Sequence, residues 1–196
     1  MNENERRFAE PGLIEIRKQD AKSDRVEGYA AVFNSTTNLG AFDERIAPGA
    51  FDDVLNDDIR ILFNHDANFP LARSNKGQGT AKIWIDDKGL KYSFKPGSQS
   101  YARDLVEAIE RGDVSQSSFG FTIKDQEWEH RDGRDIRTIT KLNTLFDLSP
   151  VTMPAYTDTA VALRSKENIN KKETPKNGAS TVAVARQRLQ LLKNKK

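Results

Sequence analysis

The sequence contains no cysteine. Disulfides, thiolate metal sites and a cysteine nucleophile are therefore excluded, and the composition suits a cytosolic protein. Only two histidines occur, His65 and His130. Zinc catalysis usually draws on three protein ligands, and no His-Glu-x-x-His stretch is present, so neither a metal nor a cofactor is expected. With so few imidazoles, each one can be weighed as a general base by itself. No apolar run approaches the roughly 18 residues of a membrane-spanning helix, so no membrane partner is expected. The opening residues, Met1 to Gly12, are polar and charged and do not read as a secretory signal. No internal repeat is visible.

Charge of one sign is scarce in the tail. Residues 164–196 hold ten of the 31 Lys and Arg but only two of the 29 Asp and Glu. The preceding body is acidic, with 21 basic and 27 acidic residues, so the overall net charge of +2 describes neither part. Nucleic acid is a poor candidate partner, because the body is acidic and the basic tail lacks the interleaved aromatics that stack on bases. Hydrophobic residues are modest at 36%, yet ten Phe, two Trp and four Tyr suffice for a core.

Strand signals dominate from residue 13 to 163. Leu13–Lys18 and Arg25–Asn34 alternate apolar and polar positions. So does Asp58–His65, which places Ile59, Ile61, Phe63 and His65 on one face. Ala81–Lys95 reads as a hairpin turning at Asp87-Lys88-Gly89, and 117–142 as another turning at Asp132-Gly133. Thr144–Tyr156 begins as a strand whose ladder is limited by Pro150 and Pro154. Two helices interrupt the strands. One is short, Pro48–Leu55, with Phe51, Val54 and Leu55 on a common side. The other is Tyr101–Arg111, with Ser100 as N-cap, a stripe of Tyr101, Leu105, Ala108 and Ile109, and Gly112 as its stop. Residues 1–12 read as a mobile arm, 13–163 as the folded domain, 164–180 as a basic flexible linker, and 181–196 as a basic helix too narrow in its apolar stripe to fold alone.

Three segments could carry chemistry. His65 stands where an apolar strand meets polar residues, and reads either as a base or as a structural histidine facing the core. Ser118, Gly120 and Thr122 share a face of small and hydroxyl residues, opposite the apolar face of Ser117, Phe119, Phe121 and Ile123. Ser118 could be a nucleophile with open space over Gly120, or merely a polar strand residue. Asp147 lies inside an apolar strand, where a carboxylate needs donors or a cation. Together these supply a base, a hydroxyl and an acid, the roles that define a catalytic triad irrespective of chain order.

Five stretches in this order carry a resemblance. They are Gly28–Phe33, Ile46–Phe51, Leu62–Asp66, Ser118–Phe121 and Asp147–Ala155. Over residues 13–163 the sequence resembles the tailed-phage prohead, or capsid maturation, serine proteases, which are distantly related to the herpesvirus capsid protease, assemblin. The resemblance implies a mainly β fold with a few helices, a closed or nearly closed antiparallel barrel of six or seven strands like that of assemblin. It places the histidine base on His65, the nucleophile on Ser118 and the acid on Asp147, with Ser115 and Ser117 as neighbouring serines that could be confused with the nucleophile. Many relatives carry Glu where this sequence has the shorter Asp147, and Pro150 replaces an aliphatic residue. The assemblin His-Ser-His arrangement draws attention to His130, but its hairpin surroundings read as a solvated turn. The implied activity is peptide hydrolysis. The implied substrates are a scaffold protein or the scaffolding segment of the major capsid protein, and the chain itself, inside assembling proheads in the host cytoplasm. Association into a homo-oligomer is left open. The rival reading is a non-enzymatic β-barrel protein associated with capsid or scaffold.

Overall fold

The computed structural model describes residues 4–8, 13–18 and 24–153. All belong to the first of the two units into which the chain divides, 1–161 and 162–196. The segments read as linker and C-terminal helix lie outside the described residues.

Twelve strands and one helix follow in chain order: β1 (Glu5–Phe8), β2 (Ile14–Lys18), β3 (Asp24–Val32), β4 (Thr37–Asn38), β5 (Asp43–Ile46), β6 (Asp58–Phe63), β7 (Asp66–Asn75), β8 (Gln78–Gly79), β9 (Ala81–Ile85), β10 (Gly89–Phe94), α1 (Ser100–Glu110), β11 (Gln116–Arg131) and β12 (Arg134–Val151). They build two sheets. The larger runs β1-β11-β12-β6-β7-β8, with β4 and β5 attached through a β5–β12 ladder, and the smaller runs β2-β3-β10-β9. The core includes Phe119 and Phe121 of β11, Ile59 and Ile61 of β6, Tyr92 and Phe94 of β10, and Phe51. Phe119 stacks on Phe121 at 4.8 Å between ring centroids and meets Phe51 edge-on at 5.7 Å. Burying each such ring is worth roughly 1.5–3 kcal/mol, and this aromatic seam anchors the long hairpin.

The mainly β expectation holds, but the barrel does not. Closure would need a ladder joining the edge strands. Among the described residues no such ladder exists: the larger sheet ends at β1 and at the two-residue β8, and the smaller at β2 and β9. Nor is the larger sheet wholly antiparallel, since β12 pairs in parallel with both β5 and β6. The helix expected over 48–55 is instead a run of turns. Its amides reach back three residues, as in Val54 N–H to Phe51 O at 3.1 Å, while Gly49 sits at φ +85° and Leu142 N–H captures Ala50 O. Phe51 and Val54 are buried nonetheless. The helix α1 starts one residue earlier than expected, so Ser100 is its first helical residue and Gln99 its N-cap, with no side-chain capping bond. Gly112, at φ +82°, follows its end as anticipated.

Residues 5–8, within the segment read as a mobile arm, form β1 and pair in register with Ser118–Phe121. Two buried ion pairs fasten this strand. Glu5 receives Arg137 in a two-pronged bond at 2.8 and 3.1 Å, and Arg7 meets the carboxylate of Glu44. Burial alone would raise the Glu5 carboxyl. The Arg137 hydrogen bond and the charges of Arg7 and Arg137 outweigh it, and Glu5 is held below the ordinary carboxylate value.

Candidate active site

The parallel β6–β12 ladder and the antiparallel β11–β12 ladder together fix the place of the site. In this topology the C-terminal ends of β6 and β12 and the N-terminal end of β11 meet at one end of the larger sheet. His65 follows β6, Ser118 opens β11 and Asp147 lies near the end of β12.

His65 is not the last residue of an alternating strand. β6 stops at Phe63, which pairs with Asp66, and Asn64 and His65 form the two-residue turn into β7 with φ of +55° and +59°. Positive φ at both central positions is the signature of a type I′ turn, which suits a hairpin but costs a histidine on the order of 1 kcal/mol. The surroundings hold it. Asn64 N–H donates to Pro150 O at 3.0 Å, and Asn64 Oδ1 accepts from Thr152 N–H at 2.9 Å. The turn is thereby tied to the end of β12, and the His65 ring turns its Nδ1 onto Asp147 Oδ1. Both side chains are buried. Sequence reading missed the role of Asn64. The available signal was its type, since asparagine tolerates the left-handed region better than most residues.

Asp147 sits beside a β-bulge. The ladder steps from Gly120↔Asp147 to Phe121↔Leu145, so Phe146 is the extra residue. A Cβ on Gly120 would collide with both Asp147 Oδ2 and the Phe146 ring. The space left by Gly120 thus receives the carboxylate, where the sequence had suggested open space. Asp147 Oδ1 also accepts from Ser149 Oγ at 2.7 Å.

Ser118 is fully buried and lies directly opposite Ser149 in the ladder. Residues so paired have Cβ atoms about 5 Å apart on one face. The period-two rule puts Ser118, Gly120, Asp147 and Ser149 on that face. Among the described residues three buried side-chain polar atoms lack a hydrogen-bond partner, and two of them are Ser118 Oγ and His65 Nε2. The neighbouring serines are placed differently. Ser117 turns to the opposite face and is bonded to the hydroxyl of Tyr92 at 2.8 Å. Burial pushes that phenol strongly upward, with the Ser117 bond opposing, so it stays neutral. Ser115 precedes β11 and is half-buried. His130 is exposed near the far end of the β11–β12 hairpin, bonded to Asp135 at 2.7 Å.

A hydroxyl, an imidazole and a carboxylate at one end of one sheet are the groups that acyl transfer by a serine hydrolase employs. The chain matches the caudovirus prohead serine protease family over residues 13–173, and it belongs to that family. It is accordingly a phage prohead serine protease by class. Among solved structures it is similar to the capsid assembly protease gp21 of bacteriophage T4, at 12% identity and a TM-score of 0.47, with 76% of this chain and 99% of that chain covered. Comparison with curated proteins yields no match.

Proposed function

We propose that Ser118 is the nucleophile, His65 the general base and Asp147 the orienting acid of an endopeptidase acting in prohead maturation. The observation that carries this reading is the buried His65–Asp147 contact beside two uncommitted atoms, His65 Nε2 and Ser118 Oγ. A carboxylate can only accept, so Nδ1 carries the proton and Nε2 is left free as the base. Ser118 Oγ attacks the scissile carbonyl carbon while its proton passes to Nε2. The tetrahedral intermediate collapses with that proton going to the leaving amine, and water repeats the sequence to release the acyl group. Asp147 holds the tautomer and stabilises the imidazolium. No cofactor enters the scheme.

The substrates we assign are a scaffold protein or the scaffolding segment of the major capsid protein, within the assembling prohead. The chain itself is a further substrate, cut in the polar, lysine-rich stretch 164–180, whose composition suits entry into a cleft as extended backbone.

The test compares intact masses of purified wild-type and Ser118→Ala protein, each with and without a fluorophosphonate. Truncation or phosphonylation of the wild type, and neither in the variant, is the expected result. A Ser118→Ala protein that is cut or labelled like the wild type overturns the assignment. A non-enzymatic capsid-associated protein would show no difference between the two.

A further inference from the structure

We propose that Ser149 is a positioning residue of this site, its hydroxyl holding the Asp147 carboxylate aimed at His65. The proposal rests on the triad reading given above. Asp147 is almost wholly buried, and among the described residues its side chain has two donors, His65 Nδ1 and Ser149 Oγ, both on Oδ1. No arginine or lysine pairs with it there. Arg60, its neighbour in register on β6, is exposed and bonded to Asp58 at 3.1 Å. Arg73 on β7 is directed to Asp58 too, at 2.6 and 2.8 Å, and Asp66 accepts from Asn68 N–H. Arg6 on β1, in register with Gly120, is exposed.

A buried carboxylate needs hydrogen-bond donors in place of the water it has left. Ser149 is such a donor, itself fully buried, two residues along the same strand face. The carboxyl torsion of aspartate is intrinsically broad, so a second anchor on the oxygen that meets His65 also fixes its orientation. The position of Ser149 directly opposite Ser118 raises the question of which hydroxyl reacts. An ionised carboxylate can only accept, so the Ser149 proton is committed to Asp147, whereas Ser118 Oγ is uncommitted.

The test uses the full chain labelled with nitrogen-15 histidine. Its two imidazoles give two sets of signals, with exposed His130 as the internal reference. Each is followed through a pH titration in Ser118→Ala protein, which cannot cut itself, and again with Ser149→Ala, Ser149→Thr or Asp147→Asn added. Without the second anchor on Oδ1 the carboxylate is free to turn from Nδ1 and holds the imidazolium less well. Ser149→Ala should therefore move the His65 midpoint down by about 0.5 to 1 pH unit, leave His130 in place, and be reversed by Ser149→Thr, which keeps a hydroxyl. Asp147→Asn should move the His65 midpoint down. If Asp147→Asn moves His65 and Ser149→Ala does not, the role of Ser149 is overturned and the pair stands. If Asp147→Asn leaves His65 unmoved, the triad reading itself fails. Should Ser149→Ala fail to fold, Ser149→Cys replaces it: a thiol is a weak donor, so a downward shift supports the proposal and an unmoved midpoint overturns it.

Discussion

The β11–β12 hairpin carries two buried polar assemblies. One joins Glu5, Arg7, Glu44 and Arg137, and the other holds His65, Ser118, Asp147 and Ser149. In the first, two carboxylates face two guanidiniums, with Arg137 Nε further engaged by Gln126 at 2.6 Å. In the second, one carboxylate meets an imidazole and a hydroxyl, and among the described residues a ring nitrogen and a second hydroxyl are left without a partner. Both sets of groups have left water, and both have bound the chain's distant segments together. The difference is satisfaction. A fully paired network fixes structure, because every removal strands a buried charge. A network with spare donors and acceptors costs stability and keeps groups available for reaction.

Substitutions in the two assemblies should therefore separate rate from stability. The largest expected effect is on rate. Ser118→Ala should lower fluorophosphonate labelling by about 10³-fold or more, with an unchanged denaturation midpoint, because the lost hydroxyl has no partner among the described residues. A comparable fall in midpoint would erase the contrast. Next comes Arg137→Met, which leaves Glu5 without its two-pronged partner. It should cost about 3–5 kcal/mol in chemical denaturation, with the labelling rate per folded molecule retained. Loss of labelling at full stability would show that the two assemblies are coupled.

Gly120→Ala comes third and should touch both rate and stability. The added methyl meets Asp147 Oδ2 and the Phe146 ring, so the carboxylate must move, and a displacement of that order can cost about 10²-fold in rate. Stability should drop modestly as Phe146 shifts, and equal activity in Gly120→Ala would disprove the tight placement. The smallest effect is that of acid. Because Glu5 titrates below its ordinary value in the fold, its contribution is complete above the unfolded carboxylate value of 4.5 and is lost as pH falls through the lowered folded value. Thermal denaturation in Glu5→Gln should accordingly show a shallower decline below that pH than wild type. Parallel curves would mean that other carboxylates govern acid unfolding.

How far the sequence reached differs between elements. The Asp132-Gly133 turn and α1 were legible, and the turn expected at Asp87-Lys88-Gly89 lies one residue earlier, between Ile85 and Gly89, because their signals are local: a turn dipeptide, alternation and a helical stripe. The strand β7 was missed, since Pro70 and its polar run hide it. β1 was missed because four residues rich in charge read as an arm. Its anchor is a pair of salt bridges to residues 37 and 132 positions away. The 48–55 turns were misread because a helical apolar spacing also results when Phe51 and Val54 face the core from successive turns.

Residue type and order alone determined which groups were available: two imidazoles, no thiol, and a serine beside Phe-Gly-Phe in a mainly β chain. The tertiary structure decided their placement. Parallel pairing of β6 with β12 brought segments 82 positions apart to one sheet end, where Asp147, beside a bulge at Phe146, meets His65. Only the fold separates Ser117, bonded to Tyr92, from Ser118, left without a partner among the described residues. The reason is physical: alternation is a property of neighbours along the chain, whereas register, bulges and hydrogen-bond satisfaction depend on strands that meet only after the chain has closed over long loops.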